Sequence, residues 1–328
     1  MTTGEAANLP MDDATVADAA CDVLCEMAEQ DSSLWVFTGD VWTSARLQPF
    51  ATTFPDRFMN VGIAEQCMVG LAAGMATCGK LPVVAAFASM MSMRSCEQIR
   101  TDVAYNNLNV KFIASASGFS AAYAGPTHHA TEDIALLRAM GNMIVIVPCD
   151  ARQTREAVRA ALGLQGPVYV RLGGRANDHS VYRETIDFKV GRAILLEDGS
   201  DVTLIGCGRT VIECLVAARL LAQEGIKTRV LDMHTVKPID TSAIEQAVAE
   251  TRIVFTVEDH NVIGGLGGAV AETMAELESA TPLKRLGVPD TYAPVGSQEL
   301  ILDHFGLTGP HIATTVAQSL RHLRERSR

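Results

Sequence analysis

Glu65 is the one carboxylate in "MNVGIAEQCMVGLAAGM", residues 59–75, an otherwise apolar and small-residue stretch. Burying an acid is expensive unless it is paired or hydrogen-bonded. Glu65 is therefore either a satisfied structural group or one whose ionisation serves a mechanism. A second candidate lies in "GPTHH", residues 125–129, where glycine and proline precede adjacent histidines and a helix start follows at "TEDI". An imidazole on such a constrained loop moves protons near neutral pH or satisfies loop backbone groups, and this stretch alone leaves both open for His128. Thr131 is expected to cap the following helix, with Glu132 and Asp133 in its first turn. "GCGRT" (206–210) and "GGLGG" (264–268) each follow a strand and precede a helix. Neither matches a full dinucleotide or phosphate-loop fingerprint, and tight turns with close helix packing are the better reading.

These residues need elements to place them. "LWVFTG" (34–39), "LPVVAAF" (81–87), "NVKFIAS" (109–115), "MIVIVP" (143–148) and "PVYVRL" (167–172) read as buried strands. Helical stretches such as "SCEQIRTDVAYN" (95–106) and "ARQTREAVRAAL" (151–162) separate them. Near-continuous apolar strands between amphipathic helices predict a mostly parallel sheet covered on both faces. A polar stretch, 173–189, interrupts the alternation, which restarts at 201–208, 227–233, 252–259 and 282–288. The expectation is two three-layer α/β domains, 1–185 and 186–328. Ligands of open α/β sheets bind outside the carboxyl ends of strands, so residues after strands should carry the chemistry.

The 328 residues carry a formal net charge of −11, which argues against a nucleic-acid binder despite the short basic tail "RHLRERSR". No run of about 18 apolar residues occurs, and the N-terminus lacks the pattern of a secretory signal. The eight cysteines form no CxxC pair and sit mostly in apolar segments, which fits reduced thiols in a cytoplasmic protein.

Four stretches, "MNVGIAEQ…GLAAGMATCGKLPVVAAFAS", "EQIRTDVAY", "GPTHHATEDIALLRAMGNMIVIVPCDA" and "DMHTVKPID…VEDHNVIGGLGGAVAE", together resemble the C-terminal half of a transketolase, from about residue 14 to 320. The resemblance is strongest to the smaller subunit of split transketolases. It implies a thiamine-diphosphate pyrimidine-binding domain followed by a transketolase C-terminal domain. Glu65 then occupies the position of the glutamate that shares a proton with the cofactor's aminopyrimidine ring. Asp40, Phe87 and Met90 fall beside that ring, although Met90 and Met93 stand where the family has aromatics. His128 matches the histidine that bonds the donor hydroxyls and serves catalysis with Glu65. Ser44, His128 and Arg171 form the implied substrate contacts. Arg94 and Gln98 read as structural.

Three departures bear on the substrate. Ala124 replaces an acid that reads a donor hydroxyl, Ala116 or Ser117 stands near a phosphate-contacting histidine, and no arginine or lysine precedes Arg46. A phosphate dianion needs several cationic or donor partners, so an unphosphorylated or specialised ketose, or a 2-oxo acid, is the expected donor. The GDG motif that holds the diphosphate and its divalent metal in this family is absent. No metal ligand is therefore assigned to this chain. Magnesium or calcium is expected on a larger partner subunit, in an α2β2 heterotetramer. The rival readings are the β subunit of a 2-oxo acid dehydrogenase and a non-catalytic structural partner.

Overall fold

The structure, a computed structural model, describes residues 14–173 and 180–326. Residues 1–13, 174–179 of the polar stretch, and 327–328 of the tail lie outside those bounds.

Among the described residues, twelve strands form two sheets. They are β1 (Leu34–Thr38), β2 (Phe58–Asn60), β3 (Leu81–Phe87), β4 (Lys111–Ser115), β5 (Ile144–Ile146), β6 (Val168–Arg171), β7 (Ile194–Glu197), β8 (Val202–Gly206), β9 (Thr228–Asp232), β10 (Thr235–Lys237), β11 (Val254–Asn261) and β12 (Leu283–Val288). The first sheet has the order β10-β5-β6-β4-β3-β1-β2, and the second β12-β11-β8-β9-β7. All pairings are parallel except β10 on β5 and β7 on β9, each at a sheet edge. The two α/β units with mostly parallel sheets are those the sequence predicts.

Every residue of β3, β4, β6, β8 and β9 is buried, because helices cover both faces. The pleat sends alternate residues to opposite cores. Val36, Val83, Ala85 and Ile113 pack with Leu24 and Val158 beneath the Val16–Gln30 and Ala151–Gly163 helices. Phe37, Val84, Ala86 and Phe112 pack with Met68, Val103, Ile134 and Leu137 on the other face. That second core runs on without a break into Ile205, Val254, Leu266 and Val270 of the second unit. Burying one apolar core between the sheets couples the two units far more firmly than a flexible tether.

One strand crosses the boundary expected near 185. β10 comes from the second unit and completes the first sheet. The Thr131 cap does not form. The helix spans Asp133–Ala139 without a side-chain cap bond, and the Asp133 carboxylate points instead to Arg171 and Tyr169. The glycine-rich stretch 264–268 is a packing device. Glu258 accepts the Leu266 and Gly267 backbone N–H groups at 2.7 and 2.8 Å, so the chain's own carboxylate fills that helix N-terminus.

Candidate active site

β1 and β3 are neighbours, yet the chain leaves β1 toward β2 on one side and reaches β3 on the other. Their carboxyl ends therefore flank a topological switch point, where open α/β sheets form a crevice. Gly39, Asp40 and Val41 follow β1, the turn before Glu65 follows β2, and Phe87 closes β3.

Asn60 ties the first two segments together. Its Oδ1 accepts the Asp40 and Gly62 N–H groups at 2.9 and 3.0 Å, and its Nδ2 donates to Asp40 Oδ1 at 3.2 Å. These bonds hold Asp40 in the left-handed region at φ 63°. Gly39 lets the next layer close down, since a Cβ there would lie 3.3 Å from the Gly62 carbonyl oxygen and 3.6 Å from Glu65 Cγ.

Glu65 opens the Glu65–Thr77 helix, where the helix dipole favours an anion, and is 5% exposed. Its Oε1 accepts from Arg94 Nη1 at 2.9 Å. Arg94 ends the Ala88–Arg94 helix that follows β3, and its side chain is half exposed. Arg94, read from the sequence as structural, has a partner that reading did not foresee: its guanidinium pairs with the Glu65 carboxylate. Sequence reasoning missed it because the two residues lie 29 positions apart on different helices. Asn60 was missed for a similar reason, although an Asn two residues before a glycine is a recognisable turn signal.

The opposite wall is apolar. Phe87 packs with Ala116, Ala121, Val41 and Met90, and its ring meets the His128 imidazole edge-on at 6.0 Å between centroids. Met90 is half-buried, and its sulfur accepts from Ser89 Oγ at 3.2 Å. Met93 is exposed and stands outside this wall. His128 is half-buried with Nδ1 2.9 Å from Thr127 Oγ1. Its neighbour His129 is buried, holds the Ala122 carbonyl through Nε2 at 3.0 Å, and takes no part in the crevice.

Ser44 lines an adjoining cavity of about 240 Å³ with Thr15, Ala17, Thr43, Arg46, Ser115 and Ala116. Ala116 belongs both to this cavity and to the Phe87 wall. Arg46, which sequence reasoning did not single out, is held at φ 60° on its rim.

Arg171 lies elsewhere. It is 1% exposed, and its donors reach Asp133 (2.9 Å), Asp259 Oδ1 (2.7 Å) and the Ala130 carbonyl (2.9 Å). Its expected part in binding substrate does not fit this placement. A guanidinium that is almost wholly buried and bonded to two buried carboxylates and two carbonyls leaves a ligand almost no surface to contact. The flanking carboxylates hold it charged, well above the usual arginine range.

Other buried titratable groups belong to the second unit or, like Lys111 at the start of β4, to the opposite end of the first sheet. Burial raises Glu258 to about 8 and Asp232 to about 7, against the hydrogen bonds that each accepts. Burial lowers His234 to about 4 and Lys111 to about 7. Lys111 Nζ donates to the Leu164 and Gly166 carbonyls at 2.8 and 2.7 Å, which marks it as a structural clamp. All eight cysteines are unpaired as disulfides, and no helix among the described residues is long and apolar enough to cross a membrane.

Residues 12–176 match the transketolase pyrimidine-binding domain, and residues 191–312 the transketolase C-terminal domain. The chain is 39% identical over 300 residues to an apulose-4-phosphate transketolase subunit from Phocaeicola vulgatus, covering 92% of this chain and 96% of that one. It is 39% identical over 295 residues to the 6-deoxy-6-sulfo-D-fructose transketolase subunit SqwH of a Clostridium species, covering 90% and 91%. Among solved structures it resembles a split-gene transketolase described as an inactive β4 tetramer, with a TM-score of 0.83, 39% identity, and coverage of 93% and 98%.

Proposed function

The chain belongs to the transketolase family, and we propose that it is the smaller subunit of a split, thiamine-diphosphate-dependent transketolase. In this reading it transfers a two-carbon ketol unit from a ketose or 2-oxo acid donor to an aldehyde acceptor. The observation that carries the proposal is Glu65, a buried carboxylate at a helix N-terminus in the crevice between the β1 and β3 ends. Relatives that have the names of split-transketolase subunits, and that this chain matches over nearly their whole length, support the subunit reading.

The residues present fit the aminopyrimidine end of the cofactor. Glu65 would face a ring nitrogen, and Phe87 and Met90 would supply an apolar wall against the ring. When bound, thiamine diphosphate supplies the nucleophilic carbon that accepts the ketol unit. With the cofactor bound, Glu65 would hold or release a proton at its carboxyl oxygens toward the ring, and Arg94 fixes the carboxylate's orientation at Oε1. Asp40, tied to Asn60, holds the β1 turn beside it. The Phe87 wall keeps water from the reacting face. His128, with Nδ1 engaged by Thr127, offers Nε2 to a donor hydroxyl. Around Ser44, one cation (Arg46) and several hydroxyls suit a hydroxylated chain end better than a tightly bound phosphate dianion.

The diphosphate and its magnesium or calcium ion are assigned to the larger partner subunit of an α2β2 assembly, because this sequence has no GDG motif. Calorimetry with thiamine diphosphate and magnesium tests this assignment, on the chain alone and mixed with a GDG-containing partner. Binding and ketol transfer in the mixture alone are expected. Tight binding by the isolated chain would overturn the shared site. Carbon dioxide release without acceptor-dependent transfer would favour a 2-oxo acid dehydrogenase instead.

A further inference from the structure

We propose that Asp259, in the second half of the chain, is the positioning residue for the loop that carries His128. The proposal rests on the reading of His128 as the donor-binding histidine.

Residues 118–130 leave and rejoin the first sheet at a single neck. Gly118 and Ala130 exchange both backbone hydrogen bonds, each 3.1 Å, and the Ser117 N–H donates to the Leu172 carbonyl at 3.1 Å. The neck rests on Arg171, whose Nη2 donates to the Ala130 carbonyl at 2.9 Å and whose Nη1 donates to Asp259 Oδ1 at 2.7 Å. Asp259 lies on β11 of the second sheet, so the strap crosses from one unit to the other. The contact is also steric. At Gly118, with φ +54°, a Cβ would fall 1.9 Å from Asp259 Oδ2. The carboxylate therefore occupies the space where any other residue's side chain would begin. Two positions on, the Asn261 N–H donates to the Thr131 carbonyl at 2.8 Å, extending the strap past the neck.

Beyond the neck, the loop is plugged into the second unit. Phe119 and Ala122 are buried with Val288, Ala293, Ile301 and Leu302, and the Phe119 ring stacks on Phe305 at 5.9 Å. His129 locks the turn from inside, edge-on to Phe119 at 5.4 Å and bonded to the Ala122 carbonyl. Neck and plug thus both bear on the second unit, and half-buried His128 is left to reach toward Phe87. A histidine that must meet a substrate hydroxyl within hydrogen-bond reach loses much of its effect through a shift of about 1 Å. Asp259 acts through Arg171 and Gly118, and it touches neither substrate nor cofactor.

The test compares the full chain with its Asp259→Asn variant by amide hydrogen exchange. Steady-state kinetics then compare the two, each in complex with the larger subunit. Asparagine keeps the shape and removes the charge that Arg171 Nη1 meets. Exchange at Gly118 and Ala130 is expected to rise about tenfold while β8 and β9 stay protected. In the complex, the donor KM should rise about tenfold with the acceptor KM and thiamine diphosphate affinity unchanged, and Asp259→Asn should add little on a His128→Ala background. Unchanged protection at the neck, a rise spread evenly over the second sheet, or additivity with His128→Ala would each overturn the proposal. Should Asp259→Asn fail to fold, Phe305→Leu loosens the same loop from the plug side and is expected to give the same pattern. If the wild-type complex shows no ketol transfer, the functional reading fails, while the exchange measurement still decides whether Asp259 holds the loop.

Discussion

Replacing Glu65 by Gln separates catalysis from folding with one atom. The amide has the volume of the carboxyl and retains an oxygen that accepts from Arg94 Nη1, which lies 2.9 Å from Oε1. What disappears is the charge and the exchangeable carboxyl proton. The stability cost is small because Arg94 is half exposed and solvent already screens the pair. Such pairs contribute about 0–1 kcal/mol, a loss that moves the melting temperature by no more than about 4 °C. The catalytic cost is of another order. Loss of a positioned acid–base group slows reactions by about 10²–10⁴, or about 3–5 kcal/mol of barrier. The assay measures kcat/KM for ketol transfer by the two-subunit complex, with thermal melting and thiamine diphosphate affinity of the same preparations. A variant that keeps its rate within about threefold would remove Glu65 from the mechanism, since that is under 1 kcal/mol of barrier. A large loss of melting temperature alongside the lost rate would make Glu65 a structural group, as its apolar sequence context also allowed.

His128→Ala should raise the donor KM and lower kcat while acceptor KM and folding hold, read by steady-state kinetics on the complex. Lys111→Met should destabilise the chain by about 2–5 kcal/mol in denaturant titration, because the Leu164 and Gly166 carbonyls lose their buried donor. Asp232 titrates near 7 in the folded chain against an ordinary 3.8. Between those pH values the folded state keeps a proton that the unfolded chain has released, so stability falls as pH rises through the window. Asp232→Asn should therefore flatten the pH dependence of stability between about pH 4 and 7, removing a decline of up to about 4 kcal/mol. An unchanged slope in urea melts across that range would refute the assignment.

The parts of the molecule set by local pattern were legible in the sequence. Continuous apolar runs such as "LPVVAAF" mark strands buried on both faces, and β3 is buried at every residue. The short strands were not legible. β2 and β10 have three residues each and, unlike the equally short β5 inside "MIVIVP", each ends on a polar residue rather than sitting in a continuous apolar run, and β10 pairs across the expected domain boundary. Glu65 stood out because a lone acid among apolar residues is a local anomaly. Arg94, Asn60 and Asp259 did not, because their meaning lies in partners 20 to 88 positions away.

Arg171 shows the same limit from the other side. Its sequence context, a strand-end arginine in "VYVRL", is what a ligand-binding residue and a buried ion pair share. What separates the two is whether enough carboxylates converge on it. Asp133 and Asp259 do, from a helix start and from the other sheet, and they hold the guanidinium buried, away from a substrate. The Asp259 contact, with the Arg171 bond to the Ala130 carbonyl, also binds the histidine loop to the second unit. A buried arginine thus gives that unit a route to the geometry of the site. Arg171→Lys distinguishes the two roles. A lysine keeps the charge but cannot span Asp133, Asp259 and the Ala130 carbonyl with a planar fork. If the strap matters, this variant should loosen residues 118–130 in hydrogen exchange and raise the donor KM as Asp259→Asn does. If Arg171 instead met the distal end of an acceptor, the acceptor KM alone would rise and the loop would stay protected.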